Sequence, residues 1–303
     1  MIKALIESLI EVGNDEKVVY LVADDKEVYD GLVAVFPTRT FNIGIAECNG
    51  ISLAAGLENG GYKPYVIGGC TFMAFRAYDF IRVQMCMQRS NVKVIGIGAG
   101  LAISILGNTQ HATEDLSSLR ALPYLKVITP STPTEVRHAV NDVYENSGPA
   151  YVRVGRSCGV DFYDEGVCYV SNKMQKILDG EKLLIFSTGS ILCKVLEVAK
   201  RFTGEVGVID VHTISPLDVE SLKAYAKENS NWMSVEEHNL NGGLGSALAE
   251  AVVDNRLEVS LHRFGLKNQF ADGYGNYEQI KEKNGLGIED IYRECLVALE
   301  GIN

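Results

Sequence analysis

Short apolar runs rich in β-branched residues recur along the chain and alternate with segments of helical spacing. The runs KVVYLVAD (17–24), PYVIGG (64–69), VKVIGIG (92–98), KVITPS (126–131) and AYVRVGR (150–156) are continuous in apolar character. Continuous runs predict strands buried on both faces, whereas half-solvated strands alternate. Helices are predicted over 46–59, 74–89, 114–122 and 134–146. Strand–helix alternation builds a parallel sheet covered by helices, with ligands held at the strands' C-terminal ends.

After Arg156 the pattern weakens through SCGVDFYDEGVCYVSNK, then restarts with strands over 182–190, 204–213, 231–238 and 257–266 and a closing amphipathic helix, GIEDIYRECLVALEG. The expectation is an α/β protein of two domains, each a mainly parallel sheet covered by helices. The first spans 1–160, a linker 161–178, and the second 179–303.

Composition narrows the function classes. The net charge is -11 with no basic stripe, which argues against nucleic acid and anionic membranes as partners. The opening MIKALIESLIEVG has Lys3, Glu7 and Glu11 at helical spacing and reads as an amphipathic helix ended by Gly13, not a targeting segment. No apolar run approaches the ~18 residues of a membrane span. The seven cysteines include no C-x-x-C pair and mostly sit in apolar segments, as reduced core cysteines do. A cytoplasmic protein is expected.

Two stretches carry candidate chemistry. In FNIGIAECNGISLAAGLENGGYKP (41–64), Glu47 stands at the head of an unusually apolar helix. It is either a first-turn acid complementing the helix dipole or a lone desolvated carboxylate suited to sharing a proton with a ligand nitrogen. In CTFMAFRAYDFIRVQ (70–84), Phe72, Phe75 and Tyr78 recur every third residue and gather on one side. That stripe is either core or an aromatic ligand pocket. Gly68 and Gly69 just before it permit close backbone approach.

These stretches, with EDLSSLRALPYLKVITPSTPTEV, GPAYVRVGR, ISPLD and VEEHNLNGGLGSALAEAV, resemble the C-terminal half of transketolase and of 1-deoxyxylulose-5-phosphate synthase. The resemblance spans nearly the whole chain. It implies a pyrimidine-binding domain followed by the transketolase C-terminal domain, and thiamine diphosphate as cofactor. Glu47 then corresponds to the glutamate at N1′ of the aminopyrimidine, where protonation favours the imino form that removes the thiazolium C2 proton. Phe72, Phe75 and Tyr78 match the aromatic pocket around that ring.

The family's G-D-G motif, which holds Mg2+ and the diphosphate, is absent. The chain itself is therefore expected to hold no metal. A separate N-terminal subunit would supply that half of the site, in a heterotetramer with two copies of each chain.

LGNTQHATEDLSSLR (106–120) matches the family's substrate loop with departures. Gln110 stands where the family has His, and His111 where it has Gln. Gln110 can donate a hydrogen bond but cannot carry a proton. His111 either takes over acid–base work or packs beside the helix that follows. Leu106 replaces an acid, and Gly98 another His. Arg156 retains a phosphate-binding arginine or forms an ion pair.

The resemblance implies the smaller subunit of a split transketolase that moves a two-carbon ketol unit from a ketose to an aldose. The departures suggest a modified sugar rather than the ordinary sugar phosphates. A 2-oxo-acid dehydrogenase beta chain, a deoxyxylulose-phosphate-synthase-like enzyme and a non-catalytic partner subunit are the alternatives. The Gly-rich NLNGGLGSALAEAV (239–252) lacks the P-loop Lys and is assigned to packing.

Overall fold

The structure, a computed structural model, describes residues 1–157, 161, 163 and 169–300. Its first sheet contains β1 (Val18–Val22), β2 (Thr40–Asn42), β3 (Lys63–Gly69), β4 (Lys93–Ile97), β5 (Lys126–Ile128) and β6 (Ala150–Val154). These run parallel in the order β5-β6-β4-β3-β1-β2, and β10 (Thr213–Ser215) adds an antiparallel edge to β5. Strands β1 and β6 are buried along their whole length, as continuous apolar runs require.

Helices cover both faces of this sheet. On one, α1 (Ile2–Val12), α2 (Lys26–Val33) and α6 (Pro133–Glu145) pack Leu5, Leu9, Leu32 and Val140 against Tyr20, Ile95 and Val152. The other face carries α3 (Glu47–Asn59) and α5 (Asp115–Leu119). Between these lies a segment expected to be one regular helix. Instead two π-helical stretches, Phe72–Arg76 and Ile81–Cys86, flank the three-residue α4 (Tyr78–Phe80). Widened π turns re-aim side chains and recur at functional sites.

The second sheet orders β12 (Ser260–Leu266), β11 (Asn231–Asn239), β8 (Leu183–Ser187), β9 (Val206–Asp210) and β7 (Gln175–Leu178), with only β7 antiparallel. Around it lie α7 (Leu192–Ala199), α8 (Val219–Glu228), α9 (Leu244–Asp254), α10 (Tyr277–Lys283) and α11 (Ile288–Glu300). The linker expected over 161–178 lies partly outside the described residues, and its last four residues form β7. One apolar cluster joins the two sheets, running from Leu116 and Tyr151 to Phe186, Trp232 and Leu248. Helix α5 thus shares its core with the second domain.

Cys48, Cys70, Cys86 and Cys295 are free thiols. Cys193 departs from the expectation, being disulfide-bonded; Cys158 and Cys168 lie outside the described residues. Among the described residues, no helix is long and apolar enough to cross a membrane.

Lys93 opens β4 almost fully buried, its Nζ donating to the carbonyls of Asn146 at 3.0 Å and Gly148 at 2.6 Å. Burial pushes its amine down to about 7 from an ordinary 10.5. Between those values the unfolded chain binds the extra proton, so stability rises with pH across the window, and the full cost of charging the buried amine is present below about 7. Lys93→Met is expected to flatten that rise. Urea unfolding midpoints of both proteins at a series of pH values from 7 upward check it, and parallel curves would refute it.

Candidate active site

The loops at the C-terminal ends of β1 to β4 and β6 meet on one side of the first sheet. After β2 the chain turns at Gly44, whose φ of +66° suits glycine and whose N–H donates to Asn42 Oδ1 at 2.8 Å. It then enters α3 with Glu47 as first residue. Glu47 is 1% exposed. Arg76 Nη1 donates to Glu47 Oε2 at 2.8 Å, and the Arg76 guanidinium lies 4.7 Å from the Phe72 ring centre. The lone carboxylate expected from the sequence is therefore paired. Arg76 ends the π-helical stretch that begins at Phe72, so the widened turn is what brings it back over α3.

The aromatic residues do not share one environment. Phe72 is half-buried beneath Arg76. Phe75 is 42% exposed at the open side. Tyr78 packs against the core with Met73, Ala77 and Ile81. Phe75 is thus the most accessible of the three rings, while Phe72 lies under Arg76 and Tyr78 packs on the core.

The loop over 106–111 is tied to this segment where Thr71 Oγ1 donates to the Gln110 carbonyl at 2.9 Å. The exchanged pair is sorted by burial. Gln110 is partly exposed, whereas His111 is 4% exposed and neither of its ring nitrogens has a hydrogen-bond partner among the described residues. Burial also lowers the His111 pKa below its usual value, so the ring is neutral at pH 7. Leu106 faces solvent. Gly98 has φ +83°, and a β-carbon there would collide with Ile103. A side chain at this position would be strained by the left-handed backbone and would have to displace Ile103.

Arg153 and Asp115 hold the loop from below. Arg153 Nε donates to Asp115 Oδ2 at 2.8 Å and its Nη2 to the Ala112 carbonyl at 2.8 Å, both residues being buried. Tyr151 adds its hydroxyl to the same carboxylate oxygen at 3.0 Å. Sequence reasoning did not find this network. A lone arginine inside the apolar run AYVRV is the available signal, because a buried arginine requires a partner.

No contact among the described residues joins Arg156 to Glu47. Arg156 follows the end of β6, two strands away from β3, on which α3 packs. Its Nε donates to the Ala102 carbonyl at 2.8 Å, and its guanidinium stands 5.6 Å from the Tyr277 ring centre. It lines a shallow cleft with Gly98, Ile103 and Ser157.

The Gly-rich turn before α9 holds an internal carboxyl group, whose pKa burial raises to about 7. Leu244 N and Gly245 N donate to the two carboxylate oxygens of buried Glu236 at 2.7 and 2.9 Å. That helix N-terminus is filled by the protein's own carboxyl group, in keeping with a packing role.

The fold and these loops are those of a two-domain α/β protein whose site opens at the C-terminal ends of a parallel sheet. The chain belongs to the transketolase family: residues 10–159 match the transketolase pyrimidine binding domain and residues 172–291 the transketolase C-terminal domain. It is 29% identical to a subunit of the apulose-4-phosphate transketolase of Phocaeicola vulgatus, over 98% of this chain and 96% of that one. It is 30% identical to a 6-deoxy-6-sulfo-D-fructose transketolase subunit of a Clostridium species, over 85% of this chain and 80% of that one. A solved structure described as a split gene transketolase, inactive beta4 tetramer, superposes with TM-score 0.88 at 30% identity and covers 98% of this chain and 97% of its own.

Proposed function

We propose that the chain is the smaller subunit of a two-subunit, thiamine-diphosphate-dependent transketolase, transferring a two-carbon ketol unit from a ketose to an aldose. The observation that carries this reading is Glu47, a buried carboxylate at a helix head beside two accessible aromatic rings. Near-full-length similarity to a subunit of an apulose-4-phosphate transketolase supports it.

The residues fit the pyrimidine half of the cofactor. Glu47 is a buried carboxylate at that opening, Phe75 offers a free ring face, and Arg76 is exposed enough to swing away. When bound, thiamine diphosphate supplies the electron-accepting heterocycle through which the carbon–carbon bond is cut and remade. Glu47 holds the proton at the pyrimidine nitrogen, and Phe72 and Phe75 pack against the ring and exclude water. Gln110, at the accessible edge of the substrate loop, donates its amide to a substrate oxygen. His111 stays neutral beneath it and sets the loop's height. Arg156 is left to the outer rim, where an anionic group of a long substrate would reach.

A partner subunit supplies the Mg2+ and diphosphate site, and two copies of each chain complete the assembly. Phe41, Ile45, Leu53 and Phe75 are exposed around Glu47 and form the apolar rim that such an interface would cover. The relative named for 6-deoxy-6-sulfo-D-fructose favours a modified sugar as substrate, in keeping with the changed residues at 98, 106 and 110.

The test is reconstitution. The chain is co-expressed with a G-D-G-bearing N-terminal subunit and assayed with thiamine diphosphate and Mg2+ against ketose–aldose pairs. Ketol transfer that requires both chains is expected. CO2 release from pyruvate without transfer would favour the dehydrogenase or synthase reading instead, and full turnover by this chain alone would overturn the split-site reading.

A further inference from the structure

A cleft of about 530 Å3 opens between the two domains, lined by Phe75 and Glu114 from the first and by Asn239, Asn268, Gln269 and Phe270 from the second. It shares Phe75 with the cofactor side of the candidate site and begins three residues beyond His111. Glu114 is the N-cap residue of α5, makes no side-chain capping bond and lines the cleft, its carboxyl group hydrogen-bonded to Thr113. Asn239 is buried, with 5% exposure. Its Oδ1 accepts from Asn241 N at 3.1 Å and its backbone N–H donates to the Thr113 carbonyl at 2.7 Å. No hydrogen bond among the described residues engages its Nδ2, nor the carboxamides of Asn268 and Gln269. No cation is among the lining residues.

Three carboxamides and a carboxyl group offer donors and acceptors together, as a run of hydroxyl groups requires. Phe75 and Phe270, both exposed, line the cleft and offer apolar surface for the C–H side of a sugar. A phosphate or sulfonate would find no arginine or lysine there and would meet Glu114 instead. Burial raises the Glu114 pKa above the usual carboxylate range, which adds to the polar, weakly charged character of the wall. The second domain is also fixed in place against the substrate loop. The Tyr274 ring lies so close to Gly107 that a β-carbon there would collide with it.

We propose that this interdomain cleft is a substrate subsite for the uncharged, polyhydroxylated part of the sugar, so that Asn239, Asn268, Gln269 and Phe270 of the second domain set substrate specificity. The inference rests on the ketol-transfer reading for its role but not for its ligand class.

Two measurements test it. In the first, the full isotope-labelled chain, free and in complex with its partner subunit, is titrated with ribitol and separately with inorganic phosphate while the side-chain amide resonances of Asn239, Asn268 and Gln269 are followed. Saturable shifts with ribitol, absent with phosphate and abolished in Phe270→Ala, are expected. No ribitol shift in either form, or equal shifts with phosphate, overturns the subsite. In the second, Asn268→Ala and Gln269→Ala are placed in the reconstituted enzyme. The KM for the sugar is expected to rise about tenfold for the pair, with kcat within about twofold and thiamine diphosphate affinity unchanged. An unchanged KM overturns the specificity role. If the wild-type complex transfers no ketol unit, the functional reading fails, and the ribitol titration still decides the subsite.

Discussion

Glu47→Gln is expected to lower ketol transfer by the reconstituted complex roughly a thousandfold while leaving the chain folded. The expectation follows from what the substitution keeps and what it removes. Gln has nearly the volume of Glu, and its carbonyl oxygen still accepts from Arg76 Nη1, which donates at 2.8 Å in the native pair. It cannot take up or return a proton. A carboxyl group that exchanges a proton in the reaction contributes typically about 10²–10⁴ in rate. Stability moves little, because Arg76 is 46% exposed on its side chain. An ion pair with one arm in water contributes about 1 kcal/mol or less. The measurement is kcat for ketol transfer beside a thermal unfolding midpoint. Activity within about tenfold of wild type would reject Glu47 as the proton-handling group, and loss of activity accompanied by unfolding would reject the account of its packing.

The position of Glu47 was legible in the sequence because a helix head is a local feature. A turn glycine, a short polar exit and a run of small residues fix where α3 starts. The pairing with Arg76 was not legible, since it spans 29 positions and depends on the π-helical turn at Phe72–Arg76. Three-residue spacing reads as an α-helical stripe, and nothing in the residue types announces a widened turn. Strands behaved similarly. Those buried on both faces, such as β1, β4 and β6, declare themselves by continuous apolar runs. The edge strand β2 has only one buried residue of three. Strand β10 leaves the second domain to pair antiparallel with β5, and its three residues gain their conformation from that partner. The exchanged Gln110–His111 pair could be located in the sequence, but its burial order depends on Thr71 and on the floor beneath the loop.

That floor supports the second large effect. Arg153→Met is expected to destabilise the chain by about 3–5 kcal/mol, because it leaves the Asp115 carboxylate buried without its counter-charge. For a chain of this size the midpoint should fall on the order of 10 °C. Among the described residues no neighbouring group replaces the lost charge. Asp115 would keep only the Tyr151 hydroxyl at 3.0 Å. His238 Nε2 stands 3.9 Å from Asp115 Oδ1, and with Arg153 in place burial, together with the Arg153 charge, pushes that imidazole down to about 4; burial still opposes its charging when Arg153 is removed. Arg153→Lys keeps the charge yet cannot span Asp115, the Ala112 carbonyl and the Glu237 carbonyl together, as the guanidinium does at 2.8, 2.8 and 3.4 Å. It should therefore retain most of the stability while freeing Ala112. Because Ala112 follows His111 directly, Arg153→Lys is expected to raise the KM for the sugar more than it lowers kcat, with cofactor affinity held by Glu47 and Phe75. The Arg153→Met, Asp115→Asn double variant removes both charges and should be more stable than either single one, a coupling that a double-mutant cycle reads directly. Additive losses would show that the pair does not act as a unit, and an unmoved KM in Arg153→Lys would show that this floor does not set the height of the substrate loop.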